Sequence, residues 1–160
     1  MESQTRRAAG RSLRKALTVI LLPVVVFAAF AGKAYADLNQ LTTLKADRVD
    51  SVACTIYGGT GAGMTWSLDR PDYAREINGL VGMFSRIKGD YVPRILPLRA
   101  DYSLTYLDRE GNRLLTVYVS GEVIRVGTSA YRWKKINTEA WFEAYTAAKK
   151  AGFVRYPGTN

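Results

Sequence analysis

Histidine is absent from this 160-residue chain, and cysteine occurs once, at Cys54. Without histidine, the usual general base near neutral pH and the commonest metal ligand are both missing. One cysteine can close no intramolecular disulfide and build no cysteine-held zinc site. Serine–histidine and cysteine–histidine hydrolysis are excluded, and no metal or cofactor is expected. Acidic residues are also scarce, 14 against 23 Lys and Arg, for a net charge of +9. The length suits one domain.

That charge is unevenly spread. Residues 1–36 carry Arg6, Arg7, Arg11, Arg14, Lys15 and Lys33 against Glu2 alone, a net +5. Residues 37–160 hold 17 basic and 13 acidic side chains, leaving +4. The basic stretch ending at Lys15 runs into Ala16–Ala31, which has no charge, and then into Ala34-Tyr35-Ala36 before Asp37. This is the three-part layout of a secretory signal peptide. Ala16–Gly32 has only 17 residues, the lower limit for a spanning helix, and contains Pro23. Residues 1–36 are therefore expected to be a signal peptide cleaved after Ala36. The alternative is an uncleaved membrane anchor, its arginines held in the cytoplasm. In both cases the remainder is exported, either secreted or attached to the outer face of the cytoplasmic membrane. Thr5-Arg6-Arg7 fits a twin-arginine signal poorly, because Ala9 and Gly10 follow where larger apolar residues are preferred. Cys54 lies too far beyond the apolar run to carry a lipid, and reads as a small buried strand residue.

Residues 37–48, with Leu38, Leu41 and Leu44 at three-residue spacing, read as a linker or a short helix, and residues 49–156 as a single α+β domain. Val52, Cys54 and Ile56 alternate with polar neighbours, the period of a strand, and Met64–Leu68 follows as a second. Asp69-Arg70-Pro71-Asp72 opens a helix expected over residues 70–88, with Tyr73, Ile77, Leu80, Val81, Phe84 and Ile87 on one face and Gly89 as its stop. Pro93 and Pro97 keep residues 90–100 out of a central strand. Tyr102, Leu104 and Tyr106 alternate, as do Leu115, Val117 and Val119 beyond the turn Asp108–Asn112. Ser120-Gly121 makes a hairpin loop into Val123–Val126, and Tyr131–Trp133 adds a short edge strand. Asn137 or Thr138 caps a last helix bearing Trp141, Phe142, Tyr145 and Ala148. The expected fold is an antiparallel sheet of about five strands with two amphipathic helices packed on one face.

The run Asp69-Arg70-Pro71-Asp72 before a helix, Tyr102–Asp108 with Gly111, and Val123–Gly127 leading to Tyr131 and a closing helix together resemble a recurring exported domain. Such domains, of unknown function, occur in secreted proteins and lipoproteins of Gram-positive bacteria. The likeness spans about residues 49–152. It implies an α+β fold at the cell envelope and brings no catalytic motif with it.

The Gly58–Gly63 stretch invites a phosphate-loop reading, but no Lys-Ser/Thr follows and Met64–Leu68 reads as a strand, so no helix N-terminus meets the phosphate. A hairpin connection is the better reading. Asp69 with Asp72, Asp108 with Glu110, and Glu139 with Glu143 are explained by helix ends, a turn and a solvated face. No catalytic residue is assigned. The aromatics remain: Tyr102, Tyr106, Tyr118, Tyr131 and Trp133 fall in the sheet region with Arg125 and Arg132, and with Lys134 and Lys135 close by. On an uncovered sheet face they would combine stacking surface with positive charge, as suits a glycan, an anionic cell-wall polymer or an envelope protein. Nucleic acid is disfavoured by the modest charge of the exported part. The expected function is non-enzymatic binding at the envelope. The alternatives are a membrane-anchored accessory subunit, touching the membrane through its N-terminal segment, and a small acid-pair hydrolase.

Overall fold

Leu21, Leu22, Val24, Val25, Val26, Phe27 and Phe30 set the character of the N-terminal helix. At 100° per residue these positions surround the helix axis, and every one of them is exposed, Phe27 to 76%. In the computed structural model, which describes residues 2–58, 63–85, 87, 89–92, 100–133 and 138–155, this helix is α1, Glu2–Thr42. Pro23 lies inside it without ending it. Leu21–Thr42, with mean hydropathy 1.5, is long and apolar enough to cross a membrane, a measure that signal sequences also meet. The chain divides into two units, Met1–Tyr35 and Ala36–Asn160, and the boundary falls within α1.

The second unit is α+β. Its strands are β1 (Ser51–Ile56), β2 (Met64–Asp69), β3 (Gly89–Tyr91), β4 (Tyr102–Leu107), β5 (Arg113–Ser120), β6 (Val123–Val126) and β7 (Ser129–Trp133). They form one antiparallel sheet in the order β2-β1-β4-β5-β6-β7-β3. With the last turns of α1, α2 (Ala74–Ser85) and α3 (Glu139–Lys150) are its helices, preceded by a 3-10 turn at Ala46–Arg48. Seven strands replace the expected five. β3 escapes a pattern search because three residues are too few to show alternation. Its pairing with β7 makes Tyr131–Trp133 an interior strand, not the expected edge.

The register sorts every side chain to one of two faces, because directly paired residues share a face. Val52, Cys54, Trp66, Leu68, Leu104, Tyr106, Val117, Val119, Ile124, Val126, Tyr131 and Trp133 fall on one face and are all buried. Both α2 and α3 reach this face. Phe84 of α2 stacks on Trp133 at 5.3 Å, and the Tyr106 hydroxyl donates to the Leu80 carbonyl at 3.0 Å. Trp141 of α3 meets Trp66 edge-on at 6.3 Å and Tyr102 at 5.3 Å. The two helices approach each other closely, since a Cβ on Gly79 would sit 3.4 Å from that of Ala140. Fully burying one such large apolar side chain contributes about 1.5–3 kcal/mol, so this layer dominates stability.

Three boundaries differ from the sequence reading. Of the two readings of residues 37–48, the helix holds as far as Thr42: α1 continues to that residue, Leu41 is buried in the core, and the second unit begins at Ala36. Leu38 and Leu41 lie in α1, and Leu44 packs against the core just past its end. The helix expected from Arg70 begins at Ala74, because Arg70 is engaged elsewhere. Its guanidinium donates to the carbonyls of Val49 (2.7 Å) and Ala46 (2.8 Å) and to Asn78 Oδ1 (2.6 Å). The β5–β6 loop is Gly121-Glu122, with Gly121 at φ +52° and Ser120 still paired to Val123. Most of the Gly58–Gly63 stretch, the Pro93–Pro97 segment, Lys134, Lys135 and Asn137 lie outside the described residues.

Candidate functional site

The seven residues expected to share a binding face are divided by the pleat. Tyr102, Tyr106, Tyr131 and Trp133 have the parity of the core and point into it: Tyr106, Tyr131 and Trp133 are buried and Tyr102 is half-buried under Trp141. Burial raises the hydroxyl pKa of Tyr102, Tyr106 and Tyr131, so these phenols stay protonated. They hold the fold together and are unavailable to a ligand. Tyr118, Arg125 and Arg132 have the opposite parity and lie on the second face.

That second face has a different chemistry. One register row reads Thr65, Thr55, Ser103, Tyr118, Arg125 across β2, β1, β4, β5 and β6. The next reads Ser67, Ala53, Thr105, Thr116. The ring contacts of α2 and α3 all fall on the opposite face. Hydroxyls here bond to one another: Thr105 Oγ1 and Thr116 Oγ1 are 3.1 Å apart, and Tyr57 Oη lies 3.0 Å from Ser103 Oγ. Tyr57 continues the outward parity of Ser51, Ala53 and Thr55, and its ring leaves Ser103 buried.

The row ends in an aromatic–cation pair. The Arg125 guanidinium carbon stands 4.4 Å from the Tyr118 ring centroid. This follows from register, since Tyr118 and Arg125 are directly paired across β5 and β6. Arg125 Nε is buried and has no hydrogen-bond partner among the described residues. A buried donor left unpaired costs about 1–3 kcal/mol, and the indole nitrogens of Trp66, Trp133 and Trp141 on or beneath the packed face are in the same state. Arg132 is exposed one strand away, diagonal to Arg125. Stacking surface, a planar cation and a line of hydroxyls are thus brought together.

Among the described residues, catalytic groups are not gathered anywhere comparable. Burial pushes the Cys54 thiol up to about 12, against a smaller opposing effect of Trp141, so it is no nucleophile at neutral pH. Asp108 is held below the usual carboxylate range: desolvation acts the other way, but hydrogen bonds from Asn112 and from the Glu110 backbone outweigh it. Its oxygens accept from Asn112 N at 2.8 Å and Glu110 N at 3.0 Å, which makes it the organiser of the β4–β5 turn. Glu143 faces Arg75 at 3.6 Å on the surface. Among the described residues no cluster of three His, Cys, Asp or Glu could hold a metal.

Sequence reasoning identified Tyr118 and Arg125 but missed Tyr57 and Ser103. The signal was present, because counting in twos from Val52 and from Leu104 separates the two faces of the strands. No family model, no curated protein and no solved structure matches this chain, so the site is read from its own geometry.

Proposed function

We propose that this protein is an exported, membrane-anchored domain that acts by binding at the cell envelope, without catalysis, through the polar face of its sheet. The ligand class is an anionic polymer of the cell wall. The Tyr118–Arg125 pair carries this reading: a guanidinium 4.4 Å from an aromatic ring has its Nε unpartnered among the described residues. A guanidinium fork matches phosphate and carboxylate oxygens, while the adjacent hydroxyl row offers donors and acceptors to a sugar or polyol backbone. Retention of the N-terminal helix, the anchored reading, is favoured by residues 37–42. Asp37 and Leu41 are buried within the second unit, so the segment just after the expected cleavage point belongs to the fold. The five basic residues before the apolar stretch keep the N-terminus in the cytoplasm and place the domain outside.

Two measurements test it. After alkaline carbonate extraction the full chain stays in the membrane pellet, and protease added to intact protoplasts removes the domain. Purified cell-wall fragments retain the wild type but not a Tyr118→Ala/Arg125→Ala/Arg132→Ala variant that folds normally. Equal retention of the two would refute the binding surface.

A further inference from the structure

The peptide bond between Ala36 and Asp37 is the one that the Ala34-Tyr35-Ala36 sequence marks for an export peptidase. Both of its residues belong to the folded second unit. Asp37 is only 9% exposed, and its Oδ2 accepts a hydrogen bond from the Ser129 hydroxyl of β7 at 2.6 Å. Tyr131 of the same strand is buried beside it, 2% exposed. Leu41, one helical turn on, is buried in the core. Gly127, at φ +57°, leaves room for the carboxylate, since a Cβ there would stand 3.1 Å from both of its oxygens. Ala36 itself is exposed, while the chain on the product side of the bond is helical, buried at Asp37 and Leu41, and tied to a strand 92 residues away.

Peptidases need their substrate exposed and free of such backbone and side-chain engagement. We infer that the fold occludes its own processing site: the Asp37–Ser129 hydrogen bond holds the Ala36–Asp37 bond out of reach of a membrane-bound signal peptidase. Cleavage then requires either attack before folding or local opening of residues 36–42. When opening is fast relative to cleavage, the rate follows the population of the open form. Weakening the lock raises that population without touching the recognition sequence. This inference rests on the anchored reading above, and the two can fail separately.

The test is pulse-chase of the full chain in exporting cells, with intact mass and N-terminal identity of the product read at each time. The variants are Ser129→Ala, Gly127→Ala, and Ser129→Ala combined with Ala36→Phe, a bulky residue at the position where the peptidase reads a small one. Wild type is expected to keep its N-terminal segment through the chase. Ser129→Ala and Gly127→Ala yield a product beginning at Asp37 about 10-fold faster or more, the effect of losing a hydrogen bond to a charged group. Ala36→Phe abolishes it. Far-UV circular dichroism and a denaturant midpoint on the purified full-length variants separate local opening from global unfolding. Wild type promptly and wholly processed to Asp37 would overturn the anchored reading together with the lock. Wild type intact, with both single variants folded and equally intact, would overturn the lock and leave the anchor standing.

Discussion

The two faces of the sheet are built from the same strands and read alternately from the same sequence, yet they share almost no chemistry. One carries Trp66, Tyr106, Tyr131 and Trp133 with aliphatic neighbours, all buried beneath helices. The other carries Thr55, Thr65, Ser67, Ser103, Thr105 and Thr116, with Tyr118 and Arg125 at the end of one row. Aromatic side chains occur on both, and their meaning is opposite. On the packed face an aromatic ring supplies stability by leaving water. On the polar face Tyr118 supplies a surface for the Arg125 cation, the pair that the proposed function assigns to binding. Residue type alone does not distinguish these roles. Parity does.

The contrast is broken most forcefully on the packed face. Replacing Trp133 by alanine removes its stacking on Phe84 and leaves a cavity between β7 and α2, at a cost of about 3–5 kcal/mol. Equilibrium unfolding in urea measures it. Tyr106→Phe keeps the ring but removes the hydrogen bond to the Leu80 carbonyl and lowers stability by about 1 kcal/mol in the same assay. On the polar face, Arg125→Ala or Tyr118→Ala is expected to change stability by about 1 kcal/mol or less, the scale of one partly exposed cation–π contact. Binding to cell-wall fragments, by contrast, is lost.

Two titrations sharpen the same comparison. The Cys54 thiol is raised from 9.0 to about 12 by burial on the packed face. Its folded pKa lies above its unfolded one, so its contribution to stability is full below pH 9 and falls as pH rises toward 12. Native protein should react with a thiol reagent only after urea is added, and Cys54→Ala should weaken the alkaline decline. Asp108, at a surface turn, is depressed, so the sign reverses. Its contribution is present above the normal carboxylate range and is lost as pH falls through the lowered value. Asp108→Ala should flatten the acid limb of the stability curve, and this is the smallest effect expected.

Much of the fold is legible in the sequence because period-2 and period-3.6 patterns are local. Val52-Cys54-Ile56, Leu115-Val117-Val119 and Ile77-Leu80-Val81-Phe84 name their elements directly. The order of strands is not local. Nothing in Gly89–Tyr91 announces a pairing with β7, and that pairing depends on a strand far along the chain. The leucines of residues 37–48 were visible, but their burial against the core was not. The candidate site was half legible for a related reason. Composition gathered seven aromatic and basic residues, whereas the pleat sends four of them inward. Arg125 and Tyr118 meet only because the Gly121-Glu122 loop sets the register that pairs them. That is a turn property, and no composition reports it.

Retention on purified cell-wall fragments, compared between the wild type and a Tyr118→Ala/Arg125→Ala pair at matched stability, tests the division of labour between the faces most directly. The wild type should be retained and released by added salt, as a guanidinium–anion contact requires, and the double variant should pass through unretained with its urea midpoint within about 1 kcal/mol of wild type. Undiminished retention of that variant would contradict the assignment of binding to the polar face.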